Sequence, residues 1–175
     1  MNAGKIFEND WRKSIDKKKI YYNRMKDSPS SFGADSQQVR FTLNNPYDSF
    51  AFYNGHLFPM ELKSTKSTSF SFQRFKGDGS KQIKFHQIQG LLEASQYPNV
   101  YAGFIFNFRK VNSNICYWLD IKNFDIFFHS TDKKSINEKD IIRFNGVIVD
   151  NEKLKVHYKY DVQKLLDNLC AKEGE

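Results

Sequence analysis

The stretch "VYAGFIFNF", Val100 to Phe108, is apolar at nearly every position. A strand that meets water on one face alternates apolar and polar residues, so a continuous run of this kind belongs to a strand covered on both faces. A second run, "NICYWLDI" (Asn114 to Ile121), follows after a short turn and makes its natural partner. A sheet centre buried on both sides needs helices above and below it, which fixes a layered α/β architecture.

Helical patterns are available to cover such a sheet. Phe7, Trp11 and Ile15 recur every four positions between Ala3 and about Lys18 and form the buried stripe of an amphipathic helix. Ile83, Gln87, Leu91 and Ala94 have helical spacing and end before Pro98. Asn137 to Phe144 suggests a helix stopped by Gly146, and Asp161 caps a last helix through Leu169. Tyr21 to Met25 reads as a short strand, "VIVD" and "KLKVHY" as edge strands, and Ser64 to Gln82 as a loop or short helical turn over the sheet. The expected fold is a mixed central β-sheet flanked by helices. At 175 residues the chain makes one domain, with residues 129–175 as an extension packing on the core and residues 27–46 as a polar loop.

The hairpin signal is more specific. Asp48 to Tyr53 and His56 to Lys63 are rich in aromatic residues and flank Asn54-Gly55, a pair suited to a two-residue turn with positive φ at both positions. That turn sets Tyr53 opposite His56 and, five steps on, Asp48 opposite Glu61. Directly opposed residues have Cβ atoms roughly 4.5–5.5 Å apart, and like charges there repel. A divalent cation removes the repulsion, since carboxylate oxygens are the ligands Mg²⁺ prefers. Lys63, two residues beyond Glu61, falls on the same face. The plainer alternative is a cross-strand ion pair in which Lys63 neutralises the acids.

Charge bears on the partner. Lys and Arg number 27 against 20 Asp and Glu, a formal net charge of +7, which favours polyanions such as nucleic acid. Ser64, Thr65, Lys66, Arg74, Lys76, Lys81 and Lys84 follow Lys63 closely and could supply phosphate contacts. Cys116 and Cys170 are too few and too far apart for a thiolate zinc site or a disulfide framework. Phosphate loops of the GxGxxG or GxxxxGK type are absent, as are an apolar signal segment and any run of 18 apolar residues. A cytoplasmic protein without a membrane span or organic cofactor is expected.

Asp48 followed by Glu61-Leu62-Lys63 at the end of a second strand resembles the signature of the PD-(D/E)xK nuclease superfamily, and the order of motifs resembles the RecU-type Holliday junction resolvases. The similarity takes in "GKIFENDW" with Glu8, "YYNR" ending in Arg24, "MELKSTKSTSFSF", "HQIQGL" with His86-Gln87, and "YAGFIFNF" through "YWLDIKNFDIFF". It implies a restriction-endonuclease-like core and a homodimeric, metal-dependent DNA endonuclease acting on four-way junctions in recombination and repair. It further implies that Asp48, Glu61 and the Leu62 carbonyl ligate Mg²⁺, for which Mn²⁺ could substitute, and that Lys63 positions the attacking water. Glu8 would bear on the metal, Gln87 would border the site, and Arg24, Lys66 and His86 would lie near the DNA. The plain alternative for Glu8 is an ion pair with Arg12. The acidic motif here is "PYD" rather than "PD", and the segment between Arg24 and Asp48, a projecting stalk in RecU proteins, is short and holds only Lys26 and Arg40 as bases. A nuclease acting on duplex or flap DNA and a non-catalytic DNA-binding recombination protein are the rival readings.

Overall fold

The computed structural model describes residues 3–25, 45–111 and 113–171. Most of the 27–46 loop lies outside the described residues.

Helix α1 (Ala3–Ser14) leads into β1 (Tyr21–Arg24), and the hairpin β2 (Ser49–Tyr53) and β3 (His56–Thr65) follows. Next come β4 (Ser69–Ser71), α2 (Phe85–Ala94), β5 (Gly103–Arg109), β6 (Asn114–Asp120) and α3 (Ile121–Ser130). The chain continues through β7 (Ser135–Asn137), α4 (Glu138–Arg143), β8 (Val147–Ile148), β9 (Asn151–Leu154), β10 (His157–Tyr160) and α5 (Val162–Ala171).

Six strands form one mixed sheet in the order β1-β2-β3-β5-β6-β8, in which β3 and β5 run parallel and every other pair antiparallel. The apolar runs sit where their composition demands. β5 is buried from Gly103 to Phe108, and its odd and even residues feed two different cores. On one face Ile105, Trp118, Met60 and Leu62 pack with Phe7 and Trp11 of α1 and with Leu165, Leu166 and Leu169 of α5. On the other, Phe104, Phe106, Phe108 and Leu119 pack with Ile88 and Leu91 of α2 and with Phe124 and Phe127 of α3. Gly103 is required by this arrangement, because a Cβ there would lie 2.5 Å from the Leu119 carbonyl oxygen and 2.7 Å from the Trp118 ring.

Three expectations need correction, and one helix is added. Ser64 to Gln82 contains a strand: β4 pairs with β7, and Phe70 and Phe72 are fully buried against α3 and β5. The apolar stripe of α2 is Ile88 and Leu91, which leaves Gln87 turned toward β3. Helix α3 follows β6 directly, with Asp120 accepting a hydrogen bond from Lys122 N at 2.8 Å. "KLKVHY" is no single edge strand, since the chain reverses at Lys155 (φ 44°) to form the separate β9–β10 hairpin. The cap expected at Asp161 is present, and Asn137 caps α4 by accepting from Asp140 N at 3.0 Å.

Candidate active site

The site is assembled by the β2–β3 turn. Asn54 (φ 48°) and Gly55 (φ 80°) take the positive φ values that a two-residue hairpin needs. The register runs from Tyr53↔His56 to Ser49↔Met60 as the turn dictates, so one further step brings Asp48 across from Glu61. Asp48 is anchored there by its Oδ2, which accepts a hydrogen bond from Leu62 N at 3.0 Å.

Glu61 lies in the middle of β3, between β2 and β5, and is 1% exposed. Its Oε1 is 2.7 Å from Lys63 Nζ and accepts a hydrogen bond from Gln87 Nε2. Gln87 is held in turn: its Oε1 accepts from Lys63 Nζ at 3.2 Å and from Lys84 N at 2.9 Å, at the first turn of α2. The second carboxylate oxygen, Oε2, is buried and has no hydrogen-bond partner among the described residues. Leaving a buried charged acceptor unsatisfied is costly, and the carboxyl responds by keeping its proton. Burial pushes the Glu61 pKa up to about 8; Asp48 pushes the same way and the Lys63 ammonium opposes.

The donor set therefore suits a hard cation in part. Two facing carboxylates, one carrying an orphaned buried oxygen, match the oxygen ligands of Mg²⁺ or Mn²⁺. No group of three or more His, Cys, Asp or Glu side chains that could hold a metal occurs among the described residues. A cation bound here would rely on these two carboxylates, on backbone oxygen and on water.

The remaining residues singled out in the sequence divide into three groups. Lys84 and His86 flank the site at the start of α2, where burial and the nearby Lys63 and Lys84 charges lower the His86 pKa. Glu8 and Arg24 pair with each other at 2.7 Å, and Arg12 donates to Asn9 at 3.1 Å. Both members of the Glu8–Arg24 pair act on the hydroxyl of Tyr22, whose pKa is raised by burial and further by Asp48 and Glu8, with Ser49 and Arg24 opposing. Arg24, opposite Ser49 across β1 and β2, brings its partner Glu8 to the rim of the site beside Asp48, and Tyr22 lies two residues earlier on the same β1 face. Lys66 and Lys76 are exposed and Lys81 is half-buried, outside the carboxylate cluster.

Arg74, expected among the DNA-contacting bases, has structural work. Its guanidinium donates to the carbonyl oxygens of Phe128, Thr131 and Lys133 and stacks 4.7 Å from the Phe128 ring centroid, closing the C-terminal end of α3.

No protein-family model matches the chain. It is 37% identical over 183 aligned residues to the SPbeta prophage-derived uncharacterized protein YotM of Bacillus subtilis (strain 168), with 98% of this chain and 89% of that protein covered. The chain belongs to the YotM family. Among solved structures, Hjc of Archaeoglobus fulgidus, a Holliday junction resolvase from an archaeal hyperthermophile, aligns with a TM-score of 0.45 and 13% identity, over 75% of this chain and 84% of Hjc. Similarity at that level does not define a shared function. Among the described residues of this YotM relative, no helix is long and apolar enough to cross a membrane.

Proposed function

We propose that this member of the YotM family is a metal-dependent DNA endonuclease of the PD-(D/E)xK type, acting on branched DNA as the resemblance to RecU-type resolvases implies. The observation that carries the reading is the buried Oε2 of Glu61, without a hydrogen-bond donor among the described residues and facing Asp48, with Lys63 and Gln87 fixed beside it. Asp48, Glu61 and the Leu62 carbonyl would hold Mg²⁺ or Mn²⁺, which when bound polarises the phosphoryl oxygens and lowers the pKa of water.

Each side chain has a definable task in this reading. Asp48 keeps its place through Leu62 N, so the ligand geometry follows from the hairpin register. Lys63, tethered to both Glu61 and Gln87, orients the water whose oxygen forms the new bond to phosphorus. The bond from phosphorus to one bridging oxygen would break, that oxygen taking a proton from solvent while the attacking water gives one up to solvent. Gln87 fixes the lysine and ties the chemistry to α2. Glu8 steadies Arg24 at the rim, where the guanidinium and the Lys66, Lys76, Lys81, Lys84 and His86 group meet the phosphate backbone. Arg74 is left out of this surface because its guanidinium is engaged with α3. A homodimer, cutting two strands symmetrically, is the assembly this reading carries.

The test is a panel of four-way junction, flap, duplex and single-stranded DNA incubated with Mg²⁺ or with Ca²⁺. Cleavage of branched DNA in Mg²⁺ only, abolished by Asp48→Ala, is the expected result. Equal cutting of plain duplex would remove the junction preference and leave a duplex nuclease. Binding without cleavage under all conditions would leave a non-catalytic DNA-binding protein.

A further inference from the structure

The segment 73–82 between β4 and α2 is a basic loop whose frame is held at both ends. Gln73 N donates to Ile83 O at 3.0 Å and Ile83 N to Ser71 O at 2.9 Å, which closes the stem. Inside it, Arg74 N donates to Asp78 Oδ2 at 3.1 Å, Asp78 N to Phe75 O at 3.1 Å, and Gln73 Nε2 to Gly79 O at 2.6 Å. Gly77 (φ 91°) and Gly79 (φ 65°) make the tight reversal possible. The Arg74 side chain is pinned against α3, and Asp78 pairs with Lys134 at 3.8 Å. Compact loops closed at the stem and filled by their own bonds are frequently functional.

This frame holds Phe75 outward. The ring is 58% exposed, belongs to neither core, and makes no ring contact among the described residues. Lys76 follows it immediately and Lys81 stands at the other end of the loop. The loop abuts the site, because Gln73 Oε1 accepts from Phe85 N at 2.9 Å, in the same first turn of α2 that carries His86 and Gln87. Phe75 is two residues from Gln73, at most about 7 Å of chain. A large flat ring displayed on a fixed loop that carries Lys76 and Lys81, next to the candidate site, has the chemistry that recognises an unpaired nucleobase: a stacking surface inside a positive field.

We infer that Phe75 stacks on an unpaired base at the branch point of the DNA and makes the loop a selectivity element for branched over continuous duplex substrates. The inference rests on the nuclease reading, but its readout is binding. The experiment uses the full chain in Ca²⁺ with a forked DNA carrying 2-aminopurine at the branch and with a duplex of the same sequence. Wild-type protein should quench the 2-aminopurine of the fork. Phe75→Ala should lose the quenching and roughly 5- to 100-fold of the affinity for the fork while keeping that for the duplex within about twofold; Phe75→Trp should retain both properties. An unchanged fork-to-duplex ratio in Phe75→Ala would overturn the inference, as would equal losses on both DNAs. Conversion of a dimer to a monomer by Phe75→Ala in light scattering would also overturn it, since the ring would then belong to a contact between copies. If Asp48→Ala abolishes cleavage and the ratio is still unchanged, the stacking role alone fails. If no DNA is cut but the fork is bound with quenching, only the nuclease reading fails, and if no DNA is bound, both do.

Discussion

Two buried carboxylates, one on each side of the sheet, are treated very differently by their surroundings. Asp10 of α1 is 2% exposed and closed on all sides: His157 Nδ1 lies at 2.7 Å, Tyr158 N donates to Oδ2 at 3.3 Å, and Arg109 Nη1 stands 3.6 Å from the same oxygen. Glu61 is 1% exposed, yet one of its oxygens meets no hydrogen-bond donor among the described residues and faces another acid. Asp10 binds α1 to the β9–β10 hairpin, and its bonds are complete within the chain. Among the described residues Glu61 is left incomplete, as expected of a group whose partner arrives from outside. A protein retains one kind of buried charge to join its parts and the other to work with.

The difference can be broken experimentally, because the two acids should fail in opposite ways. Asp48→Ala, which removes the acid facing Glu61, should lower DNA cleavage on the order of 10³-fold while leaving the urea midpoint unchanged or higher. Cleavage within tenfold of wild type would mean that the pair is not catalytic. Asp10→Ala should do the reverse. It leaves the half-buried Arg109 guanidinium without its counter-ion and should cost about 3 kcal/mol of stability, read from urea unfolding, with cleavage preserved well below the transition. Loss of activity without loss of stability would make Asp10 part of the site.

A smaller effect separates them by pH. Glu61 has a folded pKa of about 8 against an ordinary value of 4.5, so between those limits the folded state holds the proton that the unfolded chain has released. Its contribution to stability is therefore greatest below the unfolded value and is lost as the pH rises toward 8. Between pH 5 and pH 7, without divalent ions, the loss should amount to about 2 kcal/mol, read as the difference between wild type and Glu61→Gln in parallel unfolding series. Identical pH dependence in the two proteins would show that Glu61 is ionised without cost.

Much of this site was legible in the sequence because one short-range device sets it up. Asn54-Gly55 admits a single register, and that register alone pairs Asp48 with Glu61 and puts Lys63 on their face. The central strands were legible for a similar reason, since "VYAGFIFNF" has no polar face to offer water. Elsewhere the local signals were weak or contrary. The alternation of Ser69-Phe70-Ser71-Phe72 is a strand pattern, but it sits in a polar, basic stretch and its partner β7 lies far along the chain. Helix α3 begins at once after β6 with no glycine or proline between them, so Ile121, Phe124, Phe127 and Phe128 continue one apolar run while the period changes from two to helical. The reversal at Lys155-Val156 uses none of the usual turn residues. Arg74 looks like any other base in its stretch, and only the packed fold shows its guanidinium capping α3. Asp10 could not be singled out at all, because each of its partners comes from the other half of the chain.

On the proposed reading Asp48 and Glu61 together hold a divalent cation. Calorimetric titration of the protein with Mn²⁺ at pH 7, in two buffers of different ionisation enthalpy, measures both binding and the protons released. Binding should release close to one proton per site, because Glu61 is mainly protonated at that pH and must ionise to become a ligand. It should be lost in Asp48→Ala. Absence of Mn²⁺ binding, or binding that survives Asp48→Ala without proton release, would contradict the account.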